Sequence, residues 1–216
     1  VTRPLAILVH GMGRSPLSMA LLALRLRAAG FDTASFGYVA AWEKFAPCVS
    51  RLQGFIAQRI ESRAYVLIGH SLGSVLLRSV LPRLERPPAG CFFIGPPSRA
   101  CVMARRFAGF LPYRLFTGEM GQLLAQESFM QAVPLPDCPA LVYAGTAGPR
   151  WRFYPLGDEA NDAILKVSET QLPGVSLVPI AARHTLLMNS RHLVRHLIDS
   201  ALALVYGKAA RPALQA

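Results

Sequence analysis

Strand-length runs that are apolar at every position alternate along this chain with longer stretches of helical period. The first run is Leu5-Ala6-Ile7-Leu8-Val9. Successive side chains of a strand point to opposite faces, so an all-apolar run has both faces buried, the condition of a parallel sheet sandwiched between helices. Residues 65–68, 91–94 and 140–144 repeat the pattern, 175–178 does so apart from Ser176, and 33–38 is a weaker version of it. One helical segment opens at Ser15 as its cap and Pro16, and runs through Leu21, Leu22, Leu24 and Leu26 to Gly30. Others cover 45–62 through Val49, Leu52, Ile56 and Ile60, the stretch Val75-Leu76-Leu77 to Pro82, and 190–206 ahead of Gly207. This alternation predicts an α/β fold with a mostly parallel central sheet and helices on both faces.

One interval breaks the alternation. Residues 96–139 separate two strands by far more than a usual connection and are expected to form a helical insertion, a lid or cap over an apolar acyl pocket. Within it Val102, Met103, Phe107, Phe110 and Leu111 are interleaved with Arg99, Arg105 and Arg106, a basic amphipathic pattern suited to covering a pocket or touching lipid. No repeat and no Pro/Gly linker divides the 216 residues, so 1–216 reads as a single domain.

With 52% hydrophobic and 16% charged residues, disorder and coiled coil are excluded. Arg, Pro, Gly or Asp interrupts every apolar stretch before the roughly 18 residues that a membrane span needs. Net charge is +11, and residues 1–110 carry 14 basic against 4 acidic side chains. No basic run or aromatic-interleaved patch accompanies that excess, so no nucleic-acid partner is expected, and attraction to anionic lipid or an acidic substrate fits it better. Cys48, Cys91, Cys101 and Cys138 form neither a C-x-x-C pair nor a compact disulfide framework and read as free thiols. The expected compartment is the cytoplasm, with peripheral contact to a membrane, although the start at Val1 is also compatible with a leader removed ahead of it.

The chemistry centres on Gly69-His70-Ser71-Leu72-Gly73, placed between a strand and a helix. A nucleophile on so sharp a turn adopts strained backbone angles, and glycines two residues to either side let the neighbouring chain approach. A serine hydroxyl needs a base, and the base needs an orienting carboxylate. Of the five histidines, His10 and His70 sit in glycine-rich turns, where packing or a loop hydrogen bond suits them. His192 and His196 lie four apart on the last helix but have no third ligand at metal spacing. His184, on the loop after the last strand, is the candidate base. The acid belongs between Ser71 and His184 in the chain. Asp162 heads an apolar run and is favoured, with Asp158 and then Glu159 as alternatives. The oxyanion donors are expected to be the N–H groups of Leu72, just after the nucleophile, and of Met12, in the turn His10-Gly11-Met12-Gly13.

Val9-His10-Gly11-Met12-Gly13, Ile68-Gly69-His70-Ser71-Leu72-Gly73, Asn161-Asp162-Ala163-Ile164-Leu165 and Arg183-His184-Thr185-Leu186-Leu187-Met188 resemble the signature blocks of the lipase and esterase branch of the α/β-hydrolases. Gly95-Pro96-Pro97-Ser98 is similar to a segment of its compact bacterial members. The resemblance spans about residues 5–206. It implies a Ser71, Asp162, His184 triad and an acyl-enzyme mechanism on a small-molecule or lipid ester, with no metal or organic cofactor. Two features depart from the pattern: the acid block often reads Asp-Gly but here is Asp162-Ala163, and 146–161 is long. A thioesterase, amidase or acyltransferase on the same triad, and a non-catalytic lipid-surface protein, are the alternatives.

Overall fold

A computed structural model describes residues 2–207. Six strands, β1 (Leu5–Val9), β2 (Asp32–Phe36), β3 (Tyr65–His70), β4 (Gly90–Ile94), β5 (Ala140–Gly145) and β6 (Ser176–Ile180), form one sheet in the order β2-β1-β3-β4-β5-β6. Every neighbouring pair is parallel. After β1 the chain goes outward to the edge strand β2, then returns to lay β3 against the other side of β1. The winding direction therefore reverses between β1 and β3, at whose carboxyl ends a doubly wound sheet places its ligand.

Alternation along the strands divides the core. Ile7 and Leu67 point to one face, under α2 (Phe45–Ile60) and α3 (Leu72–Val80). Leu8 and Ile68 point to the other, under α1 (Ala20–Ala28) and α7 (Arg191–Tyr206). β1, β3 and β4 are buried at every position, as their unbroken apolar runs require, whereas only Phe36 of β2 is fully buried, in keeping with an edge position.

Some local expectations are corrected. β3 continues two residues past the apolar run, because Gly69 and His70 still pair with Phe93 and Ile94 of β4. Ser15 does not cap with its side chain; a 3-10 turn over Pro16–Met19 comes first. In α1 only Leu22, Ala23 and Leu26 are buried, while Leu21 and Leu24 face outward. The interval 96–139 holds α4 (Val102–Phe107), α5 (Leu111–Leu123) and α6 (Glu127–Ala132). Glycine at 118, at φ 58°, ψ −150°, breaks α5 internally. Among the described residues no helix is long and apolar enough to cross a membrane.

Candidate active site

β3 delivers Ser71 into a turn at φ 52°, ψ −123°, backbone space that is unfavourable for any residue with a Cβ. The neighbouring glycines are required by contact: a Cβ at Gly69 would stand 2.7 Å from the Ser74 Cα, and one at Gly73 would press on the carbonyl oxygens of Val9 and His10. The Ser71 N–H donates to the Ile94 carbonyl at 2.8 Å, and Ser74 Oγ donates to the Gly69 carbonyl at 2.8 Å. Ser71 is thus held at the head of α3, whose free N–H groups favour negative charge.

His184 opens a 3-10 turn, His184–Asn189, just beyond β6. Its Nδ1 donates to Asp162 Oδ2 at 2.6 Å, and its backbone N–H donates to the Asp162 carbonyl at 2.8 Å. The second carboxylate oxygen of Asp162 accepts from the N–H groups of Ile164 at 2.9 Å and Leu165 at 2.7 Å. Asp162 is 0% exposed and His184 6%. A carboxylate so fully satisfied fixes the ring and its tautomer: Nδ1 carries the proton and Nε2 the lone pair that a general base uses. The two alternative acids lie elsewhere. Asp158 is exposed, and Glu159 binds the Ser168 N–H and Lys166.

The parts are contiguous through Gly11, His70 and Gly95. A Cβ at Gly11 would lie 2.8 Å from His70 Nδ1 and 3.1 Å from the Ser71 Cβ, and one at Gly95 would lie 3.0 Å from His184 Cε1. His70 Nε2 donates to the His184 carbonyl at 3.1 Å, with the two rings 4.9 Å apart. Burial, reinforced by the nearby His184, pushes the His70 pKa well below the usual histidine value, so it stays neutral. Packing or a loop hydrogen bond is the role expected of His70, and it makes such a bond; that its partner is His184 depends on a contact across 114 residues of chain, which no local pattern displays.

On the β1 side, His10 Nδ1 donates to the Gly11 carbonyl at 2.8 Å, and its Nε2 accepts from the Tyr38 N–H at 3.3 Å. The His10 ring stacks on Tyr38 with centroids 4.3 Å apart, and the Tyr38 hydroxyl donates to the His10 carbonyl at 2.9 Å. Because a peptide C=O and the following N–H point in opposite directions, tying down the Gly11 carbonyl orients the Met12 N–H away from His10. No acceptor for the Met12 or the Leu72 N–H is found among the described residues, so both donors are uncommitted. Ser71 Oγ likewise makes no hydrogen bond within 3.5 Å among the described residues, to His184 or to any other group. Such contacts are commonly loose before substrate is bound.

Neither of two cavities among the described residues is lined by Ser71, His184 or Met12. One, of about 420 Å³, lies at the far end of the sheet against Cys91, Leu141 and Leu204; the other, of about 310 Å³, lies against the interval 96–139 but is lined largely by polar residues, Ser98, Arg99 and Glu127 with Gln171 and Pro173. At the site itself, the Phe116 ring lies directly over Gly13.

No family model matches this sequence, and no match was found among curated proteins. Solved structures are similar in fold. A lipase from Bacillus licheniformis, BlEst2 in its mature form, superposes with a TM-score of 0.64 at 16% identity, over 92% of each chain. A monoacylglycerol lipase from Paleococcus ferrophilus gives 0.63 at 14% identity, over 93% of this chain and 94% of that one. The RedJ thioesterase of prodiginine biosynthesis in Streptomyces coelicolor gives 0.59 at 17% identity, over 91% and 85%. With the six-stranded parallel sheet and its flanking helices, these likenesses establish the α/β-hydrolase fold.

Proposed function

We propose that this protein is a serine hydrolase that cleaves carboxylic esters through an acyl-enzyme. The observation that carries the reading is the buried Asp162–His184 pair, 2.6 Å apart, on the same sheet edge as the strained Ser71. His184 Nε2 takes the Ser71 proton as Oγ attacks the ester carbonyl. Asp162 stabilises the imidazolium, and the Met12 and Leu72 N–H groups hold the tetrahedral oxyanion. His184 then passes the proton to the departing alcohol. Water, deprotonated by the same nitrogen, cleaves the acyl-serine and regenerates the hydroxyl. This chemistry requires no metal and no organic cofactor.

The named activities of the similar structures, lipases and a thioesterase, are all acyl transfers to water, which supports the reaction class. Thioester hydrolysis on the same residues is the second reading, because the machinery acts on the acyl carbonyl and is indifferent to whether oxygen or sulfur leaves. A panel of p-nitrophenyl esters, acyl thioesters and anilides separates the two. With short activated esters, Ser71→Ala is expected to lower kcat by more than about a thousandfold while the thermal midpoint holds. Equal turnover by the purified variant sinks the assignment.

A further inference from the structure

Six parallel strands bring all their carboxyl-end loops to one edge, the edge that carries Ser71. Among the described residues, eleven of the sixteen large apolar side chains that are exposed lie in those loops, among them Leu17, Trp42, Leu115, Phe116, Trp151 and Phe153. They rim this edge, and several of the loops are tied to the site by contact. Phe116 rests on Gly13, and the α5 break at Gly118 packs on the carbonyls of Ala40 and Ala41, next to Trp42. Trp151 meets Phe153 edge-on at 6.1 Å, and the Tyr154 hydroxyl ties that loop to the Ala163 carbonyl, beside Asp162. Ahead of its break α5 turns apolar side chains to water: Leu111 and Leu115, one turn apart, are 64% and 68% exposed, while Thr117 is buried.

Arginines are set among these side chains. Arg14, Arg105, Arg106, Arg114, Arg150 and Arg152 are all exposed, and none has a carboxylate partner among the described residues. Of the acids in the same loops Asp158 is exposed with no partner among the described residues, while Glu43 pairs with Arg51 and Glu159 with Lys166, and three more are committed. Glu169 binds the N–H groups of Val102 and Lys166, Glu119 binds the Phe45 N–H, and Asp162 holds His184. An apolar rim alone would suit many partners. One studded with unpaired guanidinium groups matches a layer that is anionic outside and apolar beneath.

We infer that this edge docks on an anionic lipid surface, with the rim side chains entering the acyl region, the arginines on headgroup phosphates, and Ser71 facing the lipid. The inference deepens the ester-hydrolase reading by placing the substrate ester in that surface. Docking requires no turnover, so it is measured on Ser71→Ala, and its failure leaves the hydrolase assignment standing.

The measurement is co-sedimentation with extruded vesicles of phosphatidylcholine, with or without about one third phosphatidylglycerol. Binding is expected to be more than about tenfold tighter to the anionic vesicles, and to weaken with added sodium chloride as Coulomb attraction is screened. Arg105→Glu with Arg106→Glu should weaken it by more than about tenfold. Leu111→Ser with Leu115→Ser should weaken it as well, each pair keeping its thermal midpoint because the side chains are already exposed. Equal binding to neutral vesicles, no binding to anionic ones, or undiminished binding by either folded double variant overturns the proposal.

Discussion

Ala163 follows Asp162 at φ +83°, a conformation that glycine adopts freely and that any Cβ makes costly. The turn needs that conformation, because Asp162 Oδ1 collects the N–H groups of both Ile164 and Leu165 while Oδ2 faces His184. Ala163→Gly relieves about 1–2 kcal/mol of strain against about 0.4–1 kcal/mol of added unfolded-chain entropy. A net gain of about 0.5–1 kcal/mol should raise the thermal midpoint by about 1–4 °C. A lower midpoint in a melting experiment contradicts this account of the turn. The sequence displayed the departure from Asp-Gly but not its cost, since a backbone angle is invisible in a residue name. Asp162 ranks above Asp158 and Glu159 by the apolar run that follows it and by the resemblance of its block; what separates them in the structure is the distance to a histidine 22 residues away.

The unit of β3, turn and α3 was legible at the scale of elements, because an apolar run, two glycines about a serine, and a helical apolar stripe are all local signals. The interval 96–139 was legible only as an interruption. Its helices place Phe110, Leu111, Leu115 and Phe116 outward, against the rule that apolar residues mark the core. Its anchor was hidden too. Arg78, in the last turn of α3, is 2% exposed. Its guanidinium donates to the carbonyls of Pro134 and Val133, each at 2.8 Å, and reaches that of Pro97 at 3.5 Å, so it holds both ends of the interval. Burial lowers its pKa to about 10, leaving it charged at neutral pH. Arg78→Met keeps the volume but strands those carbonyls, so urea unfolding is expected to show a loss of about 2–4 kcal/mol. A change within about 0.5 kcal/mol, the range of ordinary surface substitutions, contradicts the anchoring role.

The parallel α/β architecture followed from pattern alone at the scale of the molecule, and the excess charge took on meaning only when the topology sorted the chain into edges. The same burial that orients the site makes the whole fold sensitive to acid. His10 and His70 both have pKa values depressed, chiefly by desolvation, so the unfolded chain takes up their protons at a higher pH than the folded one. Their stabilising contribution is complete above about pH 6.5, the ordinary histidine value, and is lost as pH falls from there toward the depressed folded values. Thermal midpoints measured from pH 8 to 5 should therefore decline below about pH 6.5; a flat profile contradicts neutral burial of both rings. The central claim is that Ser71 is an activated nucleophile served by His184 and Asp162. Its most direct test is reaction with a fluorophosphonate ester, followed by intact-mass measurement and peptide mapping. A single adduct is expected on the peptide that carries Ser71 and none in Ser71→Ala. An unmodified wild-type protein, or an adduct on a different serine, contradicts it.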